Sequence, residues 1–170
     1  MTEAKAPGSY LVIERDDETR QVETYIAFMR LAIMQATLAE PSSNTFNTGV
    51  LIVNGTQLIG EGHTREPHAP HTHAAECAIQ KARHGKQAHL LTSSTLYTTM
   101  EPCSSPRMSK VPCTTHIINA GIAKVVIGVK EPESFVNCQG VKTLVAAGID
   151  VVHLKILQEE CLTTNIHLLT

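Results

Sequence analysis

The sequence predicts an α/β fold in which helices pack against one mixed β-sheet. Two apolar runs flank Asn54-Gly55, and such a pair predicts a β-hairpin because both residues tolerate a positive φ angle. After this hairpin, predicted helices and strands alternate, which is the pattern of α/β folds. The length of 170 residues suits one compact domain with its own hydrophobic core.

The elements before and within the hairpin follow from apolar spacing. Residues 1–20 are polar and weakly patterned, so we expect an N-terminal extension there, with a short strand at 10–13, and the domain at 21–170. Apolar residues at helical spacing predict a helix up to about Ala39, where Pro41 stops it: Val22, Tyr25, Ile26, Met29, Ile33 and Ala36. The hairpin strands are expected at 49–53 and 57–60.

The second half of the chain is predicted from its breakers and apolar runs. A helix at 73–82 and a strand at 95–97 come first. The segment 112–120 is predicted as a helix, since proline suits a first turn and Gly121 suits the end. The remaining elements are a buried strand at 124–129, a helix at 139–147 closed by Gly148, a strand at 149–152 and a helix at 154–162.

Composition narrows the classes of function. The net charge of −2 offers no basic field for nucleic acid, and no apolar run is long enough to span a membrane. The first eight residues lack the apolar core of a signal peptide, which favours a cytoplasmic location. Five cysteines, an odd number, fit reduced thiols better than a disulfide framework.

Two segments carry the residues of a catalytic zinc site. His73 lies in the first, His-Thr-His-Ala-Ala-Glu-Cys-Ala, and Cys103 and Cys113 each follow a proline in the second. One histidine and two cysteines leave the fourth zinc position open, whereas structural zinc sites normally fill all four. Zinc lowers the pKa of water at an open position to about 7, and Glu76 is a nearby carboxylate that could transfer protons. In zinc deaminases the glutamate with this role is not a metal ligand.

Some alternatives remain open among these residues. His71 is the main competitor of His73 as a ligand, and His73 is preferred because it stands nearer Glu76 and at the start of the helix. The other histidines nearby, His63 and His68, could be substrate contacts, spare ligands or solvated side chains. Three further cysteines lack such a context and are expected to be core or surface thiols: Cys77, Cys138 and Cys161.

These residues resemble the cytidine deaminase-like superfamily, and within it the fungal-type diaminopyrimidine phosphate deaminases of riboflavin biosynthesis. The resemblance covers 49–152 and rests on GVLIV-NGTQLIGEGH, the His-Glu segment and TTMEPCSSPRMSKVPCTTHIINAGIAKVVIGVKEPESFV. Nine residues separate the two cysteines, whereas cytidine and transfer-RNA adenosine deaminases usually have Cys-x-x-Cys.

The resemblance implies a fold and an activity. The fold is a three-layer α/β/α sandwich with a mixed five-stranded sheet, commonly in a homodimer. The activity is that of a hydrolase with Zn²⁺ as cofactor. It converts the 2-amino group of 2,5-diamino-6-ribitylamino-4(3H)-pyrimidinone 5′-phosphate to an oxo group and releases ammonia.

The resemblance also implies substrate contacts. In this family the loop between the cysteines helps to bind the substrate phosphate, which makes Lys110, Arg107 and Ser109 the candidates here. Asn47 and His63 are the candidates for the pyrimidine ring, with Asn44 and Thr64 beside them in the sequence.

One departure from the family pattern concerns the catalytic glutamate. The family motif is His-Ala-Glu, but this chain has His73-Ala74-Ala75-Glu76. Residues i and i+3 share a helical face, so we expect His73 and Glu76 to meet at one zinc site. Two other functions are also consistent with the pattern. They are a deaminase of cytosine, a nucleoside or an RNA base, and a catalytically silent, zinc-stabilised binding module.

Overall fold

The computed structural model describes residues 5–106, 110–131 and 138–169. Its strands are β1 (Tyr10–Val12), β2 (Gly49–Asn54), β3 (Gln57–His63), β4 (Thr95–Met100), β5 (Lys124–Val129) and β6 (Asp150–His153). Its α-helices are α1 (Arg20–Ala36), α2 (Ala74–His84), α3 (Cys113–Asn119), α4 (Gly140–Ala146) and α5 (Gln158–Leu162). Short 3₁₀ turns cover Ala88–Leu90, Lys155–Leu157 and Thr163–Leu168.

One mixed sheet organises the chain, in the order β1-β6-β5-β4-β2-β3. Strands β2 and β3 pair antiparallel, as do β2 and β4, while β4, β5, β6 and β1 run parallel to one another. The predicted α/β fold with a mixed sheet is therefore confirmed, but the expected count of five strands was wrong. The sixth strand, β1, is the short strand that the sequence predicted at 10–13, and it extends the five-stranded sheet that the resemblance implies.

Two hydrophobic cores fill the space on either side of the sheet. Alternate residues of β2, such as Val50 and Ile52, face the core beneath α2, α3 and α4. Their neighbours Leu51 and Val53 face the opposite core, beneath α1 and α5. Because side chains alternate across a strand, both faces of the sheet are covered, and the three layers are helices, sheet and helices.

Helix α2 lies unusually close to the hairpin. A Cβ atom at Gly60 would be 2.5 Å from the carbonyl oxygen of Ala78, and one at Gly62 would be 2.8 Å from that of Ala74. The helix offers only small side chains on this face, with Ala78 and Ala82 buried. Glycines two positions apart on one face of β3 therefore set the position of α2, and with it the start of that helix.

Several boundaries differ from those predicted. The hairpin forms, but Asn54 is the last residue of β2 and pairs with Gln57, so the turn consists of Gly55 and Thr56. Gly55 has a φ of 60°, which a glycine adopts without strain. The single helix expected at 154–162 is a 3₁₀ turn followed by the five-residue α5. Among the described residues, none of the helices combines the length and apolar character needed to cross a bilayer.

Candidate metal centre

Three side chains converge where α2, α3 and the end of β4 meet. The nitrogen and sulfur ligand atoms of His73, Cys103 and Cys113 all lie within 4.8 Å of one another. The His73 Nδ1 atom is 3.1 Å from the Cys113 Sγ atom and 3.4 Å from the Cys103 Sγ atom. Tetrahedral zinc with ordinary bond lengths would set such nitrogen and sulfur atoms roughly 3.5 Å apart. The donor set and its spacing therefore fit a zinc ion, while His71 is exposed and outside this cluster.

Local backbone structure explains why the three side chains meet. His73 is the N-cap of α2, with φ −85° and ψ 159°, and its side chain makes no capping hydrogen bond. Its ring is therefore available to the metal site. Cys113 is the first residue of α3, after Pro112. The backbone N–H of Cys113 donates to the Cys103 sulfur at 3.3 Å, which fixes the two sulfurs side by side.

The two thiols behave as a coupled pair. A hydrogen bond from Cys113, with a further one from His73, lowers the pKa of Cys103 to about 4 against the opposing effect of burial. The bond to Cys103 and burial raise the pKa of Cys113. The first thiolate thus forms readily, and thiolate is the form of cysteine that binds metals.

A cavity of about 410 Å³ opens beside the cluster. That volume suits a small-molecule ligand. The described lining is Ser43, Asn44, Thr45, Phe46, Thr48, Thr64, His73, Ala74, Ala75, Thr98, Met100, Glu101, Pro102, Cys103, Cys113, Glu131 and Leu168. The metal cluster forms part of this wall, so a bound molecule would lie against the ion.

Glu76 lies in a different place from the cavity-lining residues of α2. The described lining includes Ala74 and Ala75 but not Glu76. The Glu76 carboxylate accepts a hydrogen bond from Gln80 Nε2 at 3.3 Å and lies 3.8 Å from the His116 Nε2 atom on α3. His73 is an extended cap rather than a helical residue, so the i and i+3 relation of a helix interior does not apply to it. Glu76 as the proton-transfer residue stays a prediction.

The two candidates for ring binding, Asn47 and His63, are absent from the described lining of the cavity. Asn44 and Thr64, which lie near them in the sequence, belong to it. Asn47 is buried, and its side-chain amide donates to the carbonyl oxygens of Ala39 and Thr164. Burial lowers the pKa of His63, although the nearby Glu66 carboxylate opposes this.

The phosphate-binding candidates lie between the two cysteine ligands in the sequence. Lys110 is exposed, three residues before Cys113. Arg107 and Ser109 lie outside the described residues. Their roles stay predictions.

The sequence reasoning missed several residues of the cavity wall. Thr98 and Phe46 line it from β4 and from the loop before β2, Glu131 from the residues after β5, and Leu168 from the last 3₁₀ turn. Alternation along β4 could have indicated Thr98, because the buried strand carries a polar side chain there. No pattern in the sequence indicates Leu168.

The buried Glu101 side chain holds part of the cavity wall in place. The Glu101 carboxylate accepts hydrogen bonds from the backbone N–H groups of Glu131 and Val141, each at 3.0 Å. It thereby ties the segment that leads to Cys103 to the residues after β5 and to α4. Glu101 lines the cavity, but the sequence alone gave it no role beyond a loop hydrogen bond.

The segment that contains Leu168 is fastened by a reciprocal asparagine pair. The Asn47 N–H donates to Asn165 Oδ1 at 2.6 Å, and Asn165 Nδ2 donates to the Asn47 carbonyl oxygen at 2.9 Å. Asn165 is fully buried. The pair fixes the last 3₁₀ turn against the loop between α1 and β2, so residues from both sides reach the cavity.

Comparison with known proteins identifies relatives of this site. The family model described as "Cytidine and deoxycytidylate deaminase zinc-binding region" matches residues 22–129. The diaminohydroxyphosphoribosylamino-pyrimidine deaminase of Schizosaccharomyces pombe is 38% identical over 135 residues, which are 79% of this chain and 33% of that protein. The chain therefore spans about a third of the length of that curated relative.

Solved structures agree with this match. Acinetobacter baumannii RibD, form 2, superposes with a TM-score of 0.73 at 31% identity, over 88% of this chain and 40% of that chain. Aspergillus oryzae Rib2 deaminase, solved as a C-terminal deletion mutant in complex with DARIPP, superposes with a TM-score of 0.69 at 25% identity. That superposition covers 82% of this chain and 88% of the Aspergillus chain.

Proposed function

The chain belongs to the family of the cytidine and deoxycytidylate deaminase zinc-binding region, and from that premise we propose that its cavity is a site of pyrimidine deamination. The proposed substrate is 2,5-diamino-6-ribitylamino-4(3H)-pyrimidinone 5′-phosphate, an intermediate of riboflavin biosynthesis. The names of the Schizosaccharomyces, Acinetobacter and Aspergillus relatives support this substrate class.

One observation carries the proposal: a histidine and two cysteines meet at the wall of a cavity large enough for a small molecule. The cofactor is Zn²⁺, which the family match and the soft donor set both support. When bound, zinc supplies Lewis acidity that activates water for attack on an electron-poor ring carbon.

The proposed reaction is a balanced hydrolysis. A C–O bond forms at C2 of the ring, the C2–N bond of the amino group breaks, and the two protons of the water end on the ring system and the departing ammonia. No oxidant or reductant is needed. The residues of the chain have to orient the ring, exclude bulk water and move these protons. Glu76 of α2 is the candidate that the sequence offers for the last task.

The phosphate of the substrate is proposed to bind to the loop between the cysteines. Lys110 is exposed there, and an ammonium group is a natural partner of phosphate. Arg107 and Ser109 are proposed to assist it. The same loop would place the phosphate beside the metal site, since it begins and ends at a proposed metal ligand. A small phosphorylated molecule also suits a chain of net charge −2 better than a nucleic acid does.

We also propose that the protein is a cytoplasmic homodimer. All five cysteines are free thiols, which suits a reducing compartment. Helix α1 and the turn after it expose apolar side chains, with Leu31, Met34 and Leu38 at 44%, 63% and 60% exposure. An apolar face of this kind is suited to contact with a second copy of the chain. Light scattering on the purified protein at two concentrations would test the dimer.

The proposed function is tested by ammonia release from the proposed substrate in the presence of the zinc-loaded protein. We expect release, together with binding of the substrate in calorimetry. Cytidine, deoxycytidylate and cytosine should give neither signal. Binding and release with a nucleoside, but not with the diaminopyrimidine phosphate, would contradict the proposal and favour the alternative deaminase.

A further inference from the structure

We infer that position 75, rather than position 76, is where helix α2 reaches the bound pyrimidine, so that Ala75 leaves this chain without a proton-transferring carboxylate on that helix. The inference rests on the proposed function, since it concerns the rate of that same reaction. Its consequence is a protein that binds the pyrimidine phosphate and turns it over slowly.

The start of α2 carries the first part of the argument. His73 is the extended cap of the helix, and the first helical hydrogen bond runs from the Cys77 N–H to the His73 carbonyl oxygen at 3.1 Å. The side chains of the next two residues, Ala74 and Ala75, face the cavity that His73 also lines. Ala75 is 4% exposed and lines the cavity of about 410 Å³. A longer side chain at position 75 would extend into that cavity beside the metal cluster.

The second reason concerns Glu76, whose carboxylate contacts residues outside the described lining of the cavity. One oxygen accepts from Gln80 on the same helix, and the other lies 3.8 Å from His116 Nε2 on α3. His116 and Glu76 are 20% and 14% exposed, so the two side chains are largely enclosed between the two helices. Glu76 therefore joins α2 to α3. Turning it into the cavity would break both contacts.

The two carboxylates of the described lining, Glu101 and Glu131, lie outside α2. Both oxygens of Glu101 accept backbone N–H groups, which fixes that carboxylate as part of the loop structure. Glu131 follows β5 and donates its own N–H to Glu101. It has to be tested by itself, because it is the remaining acid on the described wall.

A carboxylate at position 75 would supply the proton transfers of the reaction. It would take a proton from the attacking water, pass it to the ring nitrogen and then assist the amine to leave as ammonia, with no net change in its own protonation. Positioned acid and base groups accelerate such reactions by about 100- to 10,000-fold. Without one, these protons have to come from and go to the solvent.

The main experiment compares the native chain with Ala75→Glu and with the matched control Ala75→Gln, which has nearly the same size but cannot exchange protons. The probe is the ribitylamino diaminopyrimidine phosphate. The measurements are ammonia release, substrate affinity by calorimetry and zinc content by elemental analysis. We expect all three proteins to hold zinc and bind the probe, and Ala75→Glu to turn over about 100-fold faster or more than the other two. Equal rates for Ala75→Glu and Ala75→Gln, with zinc and affinity intact, would overturn the inference.

Glu76→Gln and Glu131→Gln keep the test decisive if Ala75→Glu folds poorly. The inference expects the native rate to survive Glu76→Gln within about threefold, well under the range for loss of a proton-transfer group. A native rate that falls about 100-fold in Glu76→Gln, with zinc and affinity intact, would assign proton transfer to Glu76 and overturn the inference. The same fall in Glu131→Gln would assign it to Glu131 and also overturn it.

Failure of the proposed function gives a different pattern. In that case neither the native chain nor Ala75→Glu binds the probe in calorimetry, although both hold zinc. Binding without measurable release by the native chain, followed by release in Ala75→Glu, supports the function of the site and the inference together.

Discussion

Helices α2 and α3 both begin at the metal cluster, but they present their ligands differently. His73 precedes α2 as an extended cap, whereas Cys113 is the first helical residue of α3. Three residues beyond each ligand stand Glu76 and His116, which face each other between the helices. In α2 the cavity is therefore reached by residues one and two positions beyond the ligand, Ala74 and Ala75.

This difference shows that shifting a side chain by one position along the start of a helix changes the direction in which it points. A helix turns 100° per residue, so neighbouring positions at its start face different surroundings. A carboxylate at 75 would belong to the site, and the carboxylate at 76 belongs to the contact between helices. The spacing of a motif has to be measured from the first helical residue rather than from the ligand when the ligand is a cap.

The largest expected effect is loss of the metal when a ligand of either helix is changed. Cys113→Ser and His73→Ala should each reduce zinc from about one per chain to near zero after dialysis against a weak chelator, because two remaining donors cannot hold a tetrahedral ion tightly. Elemental analysis measures the metal. Cys138→Ser is the control, since Cys138 lies outside the cluster. Full zinc retention by Cys113→Ser would show that α3 supplies no ligand to the metal.

The next effect concerns the loop that carries Cys103. Glu101→Ala should lower the free energy of unfolding by about 3 kcal/mol, because the N–H groups of Glu131 and Val141 lose their buried acceptor. Chemical denaturation measures this value. Glu159→Gln, at an exposed acid, is the control and should change it little. Equal stability of the two variants would mean that water replaces the carboxylate without loss.

A smaller effect is expected at the packing of α2 on the hairpin. Gly62→Ala should cost about 2 kcal/mol, since its Cβ atom would be 2.8 Å from backbone atoms of α2 and the helix would have to move. Because His73 caps this helix, zinc affinity should fall as well. Gly85→Ala is the control, with its nearest neighbours at 3.4 Å. Unchanged zinc affinity in Gly62→Ala would show that the cap moves independently of the helix.

The smallest effect is a dependence of stability on pH at the far edge of the sheet. Burial, together with the nearby lysines, lowers the pKa of His153 below its usual 6.5. The unfolded chain then takes up a proton first as the pH falls, so stability present above pH 6.5 is lost progressively below it. Denaturation at pH 8 and pH 5.5 measures the difference, which His153→Asn should reduce. A steeper dependence in the variant would contradict the sign of this effect.

The sequence predicted the parts of the molecule that local chemistry determines. An apolar run beside Asn54-Gly55 located β2, and Pro112 and Gly121 bounded α3. Two Pro-Cys pairs located the cysteines of the metal cluster. The orientation of Glu76 could not be read from spacing, because it depends on His73 adopting an extended backbone outside the helix.

Long-range contacts limited the prediction elsewhere. The short strand predicted at 10–13 forms as β1, but its parallel pairing with β6, some 140 positions later in the chain, could not be read from its own residues. Asn47 is a candidate for ring binding from its position in the sequence, and that role stays a prediction. Its polar groups bond to Ala39, Thr164 and Asn165, contacts that exist only once the chain has folded.

The reciprocal pair of Asn47 and Asn165 holds the last 3₁₀ turn beside the cavity, where a probe on that turn could report binding. Leu168 lines the cavity, and Leu169 beside it is 48% exposed. An environment-sensitive dye on a cysteine introduced at position 169 would therefore sit at the rim, one residue from whatever the cavity holds. Its emission would report ligand arrival in real time, independently of turnover.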